Sequence, residues 1–198
     1  MKAFWDERYA EAGFAYGQQP NAYFQEVIQA IQPGKLLLPC EGEGRQAVYA
    51  AQLGWEVTAF DQSSTGRQKA LAWATEAGVA LNYVLADAVA FETPTQFDLV
   101  ALIFAHLPEP LRAAFHQRMA AMVKPGGLLL IEGFSKAQLG RASGGPRDEA
   151  MLFSTELLAG DFAGFDIISL GESRVQLNEG PYHQGEAAVV RLLARKMA

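Results

Sequence analysis

From residue 22 to residue 134 the chain alternates short apolar runs with helix-patterned stretches, and this alternation restricts its fold more than any other feature. In "PNAYFQEVIQAIQPG" the side chains of Tyr23, Phe24, Val27, Ile28 and Ile31 fall on one helical face, and Pro33-Gly34 ends the helix. "KLLL" reads as a buried strand that stops by Leu38, because Pro39 has no donor for a ladder. A helix over "GRQAVYAAQLG", a strand over "WEVTAFD", a helix over "SSTGRQKALAWATEAG" capped by Ser63 or Ser64, and a strand over "ALNYVLAD" follow. "FDLVALIFAH" is apolar nearly throughout, as expected of a strand covered on both faces. A helix from Pro108 to a Pro-Gly-Gly exit leads to a fifth strand, "LLLIEGF". Such an order specifies a parallel sheet wrapped by helices through right-handed crossovers.

The end of the chain breaks the pattern. After a short helix near "STELLAGDF", the strands "FDIISLGESRVQL" and "AAVVRLLARK" are joined only by "NEGPYHQGE". That link is too short for a crossover helix, so an antiparallel hairpin is expected. The predicted class is α/β: a doubly wound, seven-stranded sheet, mostly parallel with an antiparallel last strand. One domain spanning 1–198 is expected, with a helical N-terminal cap over 1–33 and a core over 34–198. The Gly-rich stretch 135–151 reads either as a linker or as a lid.

Charge and cysteine usage narrow the function. Sixteen Lys and Arg against 22 Asp and Glu argue against a nucleic-acid binder, which needs a basic face. The single cysteine, Cys40, excludes an internal disulfide and a cysteine-clustered metal site, so no metal is expected. The first residues lack the apolar stretch of a signal peptide, and no run reaches the roughly 18 residues of a membrane span. A cytoplasmic protein is the expectation.

Gly42, Gly44 and Ala47 meet the spacing G-x-G-x-x-G/A after a strand and at a helix start. Asp61 closes the next strand, where a carboxylate accepts both hydroxyls of a ribose or caps the following helix. Glu41 and Glu43 flank the glycines. Two unit charges roughly 4 Å apart interact by about 4 kcal/mol at an effective dielectric of 20. Two glutamates therefore oppose a pyrophosphate in this loop and favour a cation, and the sulfonium of S-adenosylmethionine is one.

On these residues the chain resembles the class I S-adenosylmethionine-dependent methyltransferases, over nearly its whole length. "LLLPCEGEGRQAVYAAQLG" is similar to their glycine motif, "VTAFD" to the ribose motif, "LADAVAF" to the adenine motif, and "FDLVALIFAHL" and "VKPGGLLLIEGF" to the motifs of strands four and five. The tellurite-resistance and thiopurine-type members, which act on small molecules, resemble it most; "WDERY" and "YGQQPN" are similar to their cap over the cofactor. The resemblance implies a Rossmann-like core and S-adenosyl-L-methionine as cofactor. It places Cys40, Glu41 and Arg45 at the cofactor, with Gly42 and Gly44 close to its methionine part, Asp61 at the ribose, Gln62, Ser63, Asp87 and Ala88 around the adenine, and Phe104 and Ala105 under the cofactor. Two positions depart from the motif: Leu38 stands where an acid is usual, and Cys40 where the first glycine is usual.

Methyl transfer needs alignment and exclusion of water, and a base only when the acceptor must lose a proton. His106 at the end of strand four, with Tyr182 and His183 in the hairpin turn, are the expected catalytic residues; His116, mid-helix, is expected to be structural. For His106, a histidine bonded to backbone is the equal alternative. Arg147 and Arg174 read as anion contacts or solvated charges, Tyr9 and Tyr16 as cofactor cover or ordinary packing. The acceptor expected from the resemblance is a small molecule, a thiol or a metalloid oxyanion, with no nucleic acid and no membrane as partner. A nicotinamide-dependent reductase and a non-catalytic S-adenosylmethionine-binding module are the competing readings. The sequence leaves the oligomeric state open.

Overall fold

The computed structural model describes residues 2–197. In chain order its elements are α1 (Lys2–Ala10), α2 (Ala22–Gln29), β1 (Lys35–Pro39), α3 (Arg45–Gln52), β2 (Glu56–Asp61), α4 (Ser64–Glu76), β3 (Asn82–Leu85), β4 (Phe97–Ile103), α5 (Glu109–Met122), β5 (Val123–Phe134), α6 (Thr155–Asp161), β6 (Phe165–Asn178) and β7 (Gln184–Lys196). They build one seven-stranded sheet in the order β3-β2-β1-β4-β5-β7-β6. The pairs β1–β2, β1–β4, β2–β3 and β4–β5 are parallel, while β7 is antiparallel to both β5 and β6. The Rossmann-like class with its C-terminal hairpin is therefore present as expected.

Alternation along the strands divides the core between the two faces of the sheet. Leu37, Val100, Leu102, Leu129 and Ile131 pack with Phe115 and Met119 of α5 and Leu158 and Phe162 near α6. Leu36, Leu38, Leu99, Ala101 and Leu130 pack with Phe24, Val27 and Ile28 of α2 and Ala47, Ala50 and Ala70 of α3 and α4. Both faces are covered, which is why β1 and β4 are apolar at nearly every position.

Several boundaries differ from expectation: β3 and β4 are shorter, β7 starts at Gln184, and those of β1 and β5 have a local cause. β1 runs one residue further, to Pro39, because that residue pairs only on the β2 side, with Phe60, while pairing to β4 ends at Leu37. β5 starts at Val123 rather than at Leu128: Val123 pairs with Phe97, and Lys124 to Gly127 bulge out before Leu128 resumes the register opposite Leu99. Gly126, at φ +77°, supplies the left-handed residue that the bulge requires.

The strand order reverses between β1 and β4, and in open α/β sheets ligands bind beyond the carboxyl ends of the strands at such a reversal. The N-terminal segment closes on this edge. Asp6 of α1 accepts from the Ser63 hydroxyl and the Thr65 N–H, and Glu43 accepts from the Ala15 N–H. Segment 135–151 lies along β7, pinned by two buried side chains. Gln138 accepts from the Ala188 N–H and donates to Ser143 Oγ, and Ser143 donates to the Glu186 carbonyl.

Candidate functional site

The glycine corner at the end of β1 is built from left-handed backbone. Cys40, Gly42 and Gly44 have φ of +55°, +63° and +89°. At Gly42 a Cβ would collide with the Tyr9 hydroxyl, and at Gly44 it would lie 2.7 Å from Ala70 Cβ. Both glycines are thus required by conformation and by space. Cys40 occupies a position where a glycine is unstrained, at a cost of about 1–2 kcal/mol. Burial pushes its thiol well above the usual range, so it stays protonated and packs as a small apolar group.

The two glutamates of the loop have different partners. Glu41 is buried, and its Oε1 accepts from the N–H groups of Gln46 and Ala47, each at 2.8 Å, which caps the first turn of α3. Burial pushes its carboxyl up to about 8, against those bonds and the nearby Arg45. Glu43 bridges the Ala15 N–H and the Lys69 ammonium, both at 2.8 Å, and so ties the N-terminal segment to α4. The sequence reading treats the pair as one acidic cradle; the structure neutralises Glu43 locally and gives Glu41 to the helix.

Asp61, at the end of β2, is also buried. Its Oδ2 accepts from the Gly42 N–H at 3.1 Å and its Oδ1 from the Ser63 N–H at 2.8 Å, while burial raises its pKa. The residue thus joins the glycine loop to the start of α4, and Ser63, not Asp61, is the N-cap of that helix, accepting from the Gly66 N–H. Gln62 follows half-buried at the same edge. Asp87 is exposed, and its Oδ1 accepts from the Val89 N–H, closing a turn after β3 in which Ala88 lies.

A second cluster lies at the carboxyl ends of β4 and β5 and the β6–β7 turn. Phe104, left-handed at φ +53°, has its ring 4.6 Å from that of Phe134 and 4.7 Å from the imidazole of His183. Tyr16 completes the surround at 4.5 Å. The Nδ1 of His183 donates to Glu179 Oε2 at 3.1 Å, and Arg45 donates to the same oxygen at 2.9 Å. Burial would raise the Glu179 carboxyl, but these two bonds outweigh it and hold it down at about 2. Burial lowers the pKa of His183, so the ring is neutral at pH 7. Among the described residues no hydrogen-bond partner meets its Nε2.

His106 is placed differently. Its Nδ1 donates to the Met151 carbonyl at 2.7 Å and its Nε2 accepts from the Phe134 N–H at 2.9 Å. Burial lowers its pKa to about 4. Both ring nitrogens therefore serve backbone groups, the alternative that the sequence left equal to catalysis. Tyr182 points its hydroxyl at Glu11, with Arg8 over its ring, and links α1 to the hairpin. His116 is fully buried against Asp161 at 2.7 Å. Arg174 is exposed near Glu186.

The sequence reading missed the charged network beneath the N-terminal segment. Asn21, the N-cap of α2, donates to both Glu132 and Glu179, and Arg191 donates to Glu132. One signal existed for Glu132, a lone acid inside the apolar run of β5. Glu179, in a polar turn, carried none.

Comparisons with known proteins fit this geometry. Residues 38–127, from the glycine corner to the start of β5, match a family model described as "Methyltransferase domain". That match covers just under half of the chain, and the chain has the fold of class I methyltransferase domains. The domain is similar to TehB from Haemophilus influenzae, at TM-score 0.75 and 18% identity, over 98% of this chain and 66% of that one. It is similar also to the N-methyltransferase NodS from Bradyrhizobium japonicum WM9 in complex with S-adenosyl-L-homocysteine, at TM-score 0.73 and 12% identity, over 98% and 97%. A ubiquinone biosynthesis O-methyltransferase of Colwellia psychrerythraea is 34% identical over 100 residues, 48% of this chain and 40% of that protein. The chain thus spans less than half the length of this curated relative. Among the described residues no helix is long and apolar enough to cross a membrane, and no group of His, Cys, Asp or Glu is placed to hold a metal.

Proposed function

We propose that this chain is a methyltransferase, binding S-adenosyl-L-methionine and transferring its methyl group to a small-molecule acceptor. The observation that carries the reading is the join between the left-handed glycine loop and Asp61, at the carboxyl edge where the strand order reverses. Such a corner lets a ligand approach backbone closely and offers a carboxylate to two vicinal hydroxyls. Gly42, Gly44 and Glu41 would hold the methionine part, Asp61 the ribose, and Gln62, Asp87 and Ala88 the adenine. The bound cofactor would supply an electrophilic methyl group on a sulfonium. The chain's residues have to align the acceptor, exclude water and, for a protic acceptor, take one proton. The proteins named N-methyltransferase NodS and ubiquinone biosynthesis O-methyltransferase support a methyl donor on this fold, and a thiol or metalloid oxyanion remains our preferred acceptor.

Glu41 links cofactor binding to pH. Its carboxyl titrates near 8, and a cation beside it favours the ionised form. Binding of the sulfonium then releases a proton below pH 8, and affinity rises with pH up to about that value. Calorimetry in buffers of different ionisation enthalpy reads this release.

Calorimetry with S-adenosylmethionine and with NADH is the primary test. We expect the first to bind, and Asp61→Ala to weaken it at least about 10-fold, the loss of a charge-assisted pair of hydrogen bonds. Binding of NADH alone would assign the site to a reductase. Cofactor binding without turnover of any thiol, phenol, selenite or tellurite would leave a binding module.

A further inference from the structure

His183 has one ring nitrogen committed to a carboxylate and one without a partner; His116 shares this pattern against Asp161 but lies fully buried between α5 and α6, whereas His183 lies at the edge where the strand order reverses. The commitment is to Glu179, whose carboxylate Oε2 takes the Nδ1–H at 3.1 Å and the Arg45 guanidinium at 2.9 Å, while its Oε1 takes the Asn21 amide at 3.1 Å. A carboxylate only accepts, so the proton between the two groups sits on Nδ1. A neutral imidazole carries one N–H, and Nε2 is left with its lone pair.

The ring is buried among aromatic side chains, 5% exposed. Tyr16, Phe104 and Phe134 hold the ring from three sides. Gly144, in the segment over β7, comes so close that a Cβ there would lie 2.7 Å from His183 Cδ2 and 3.2 Å from Nε2. Any side chain at that position would cover the nitrogen. The charged groups facing the ring are Glu179 from the turn, Arg45 from the cofactor loop and Arg8 from α1. Arg45, the cation nearest the loop, is committed to Glu179 rather than left for an anionic acceptor.

We propose that Glu179 is a positioning residue: held by Arg45 and Asn21, it fixes His183 with its proton on Nδ1, so that Nε2 takes the proton of a protic acceptor, a thiol or a phenol. The proposal rests on the methyl-transfer reading above and narrows its substrate class away from oxyanions. The acceptor's S–H or O–H proton passes to Nε2, and the electron pair released forms the bond to the methyl carbon. That carbon's bond to the donor sulfur breaks with its electrons on sulfur. His183 leaves the step as an imidazolium paired with Glu179 and loses its proton to water.

The test is the tautomer of His183, read by two-bond 1H–15N correlation on the 15N-histidine-labelled chain at pH 7. Only three histidines are present, and His183→Gln assigns the signal. We expect the wild-type ring to be neutral with its proton on Nδ1, and Glu179→Ala to move protons onto Nε2. Glu179→Gln retains an acceptor for Nδ1–H and restores the wild-type pattern. With a thiol or phenol acceptor, Glu179→Ala lowers kcat about 100-fold while KM for the cofactor changes little, the scale of a lost general base. A wild-type proton on Nε2, or an unchanged tautomer in Glu179→Ala, overturns the proposal. Should the alanine variant not fold, the wild-type and Glu179→Gln spectra still decide it. Failure of every acceptor with the expected tautomer refutes methyl transfer and not the role of Glu179.

Discussion

His106 and His183 lie at the same edge of the sheet, and the two corners that carry them use an imidazole in opposite ways. At the end of β4, His106 spends one nitrogen on the Met151 carbonyl and the other on the Phe134 N–H. It is a bracket between β5 and the segment that follows. In the hairpin turn, His183 spends one nitrogen on Glu179 and keeps the other. Residue type and placement on the sheet are therefore not enough to assign a base; what decides is how many ring nitrogens the backbone has taken. A histidine saturated by main-chain partners stabilises the fold; one oriented by a carboxylate keeps a lone pair, which serves chemistry at the ligand edge but not in the core, where His116 holds Asp161.

The sharpest way to break this comparison is to remove each ring. His183→Ala is expected to lower kcat for a protic acceptor by about 100- to 10,000-fold, the range of a general base, with cofactor affinity nearly kept; steady-state kinetics with calorimetry measure both. His106→Ala is expected to act on stability instead. It opens a cavity and strands the Phe134 N–H, costing about 2–4 kcal/mol by urea unfolding. Equal loss of turnover in the two variants, corrected for folded protein, would erase the distinction.

Acid separates the two further. The folded-state pKa of His106, about 4, lies below the ordinary value of 6.5, so the unfolded chain binds the extra proton first. The stability held by the neutral ring is present above pH 6.5 and is lost as the pH falls towards 4, by about 3 kcal/mol in all. Melts from pH 7 to pH 4 should show this slope in the wild type and a flatter one in His106→Gln.

Smaller effects belong to the backbone around the two corners. Gly144→Ala, at φ +114°, crowds His183 Nε2 and is expected to raise the acceptor KM about 10-fold, read in the same kinetic assay. Cys40→Gly removes a strained left-handed residue and is expected to stabilise the chain by about 1 kcal/mol, read by the midpoint of urea unfolding.

The legible part of this molecule was its order of elements and its glycine corner. Both rest on local signals: apolar runs bounded by Pro and Gly, and glycines at a spacing that a strand-to-helix turn demands. Glu132 was half visible, as a charge inside a buried strand. Illegible were the partners of the glutamates. Glu41 and Glu43 look equivalent in "CEGEG", yet one meets the N–H groups five and six residues on and the other meets Ala15 and Lys69. Long-range pairing of polar groups leaves no periodic trace.

By itself, the sequence determined that strands and helices alternate, that the last two strands return on each other, and where left-handed turns are permitted. Those properties follow from side-chain periodicity and backbone sterics over a few residues. Only the tertiary structure decided which of the two histidines at the ligand edge keeps a free nitrogen, because Glu179, Met151 and the Phe134 N–H meet the rings only in the packed fold. Hydrogen bonds between such groups are set by the packed sheet and by the cost of leaving a buried polar atom unpaired.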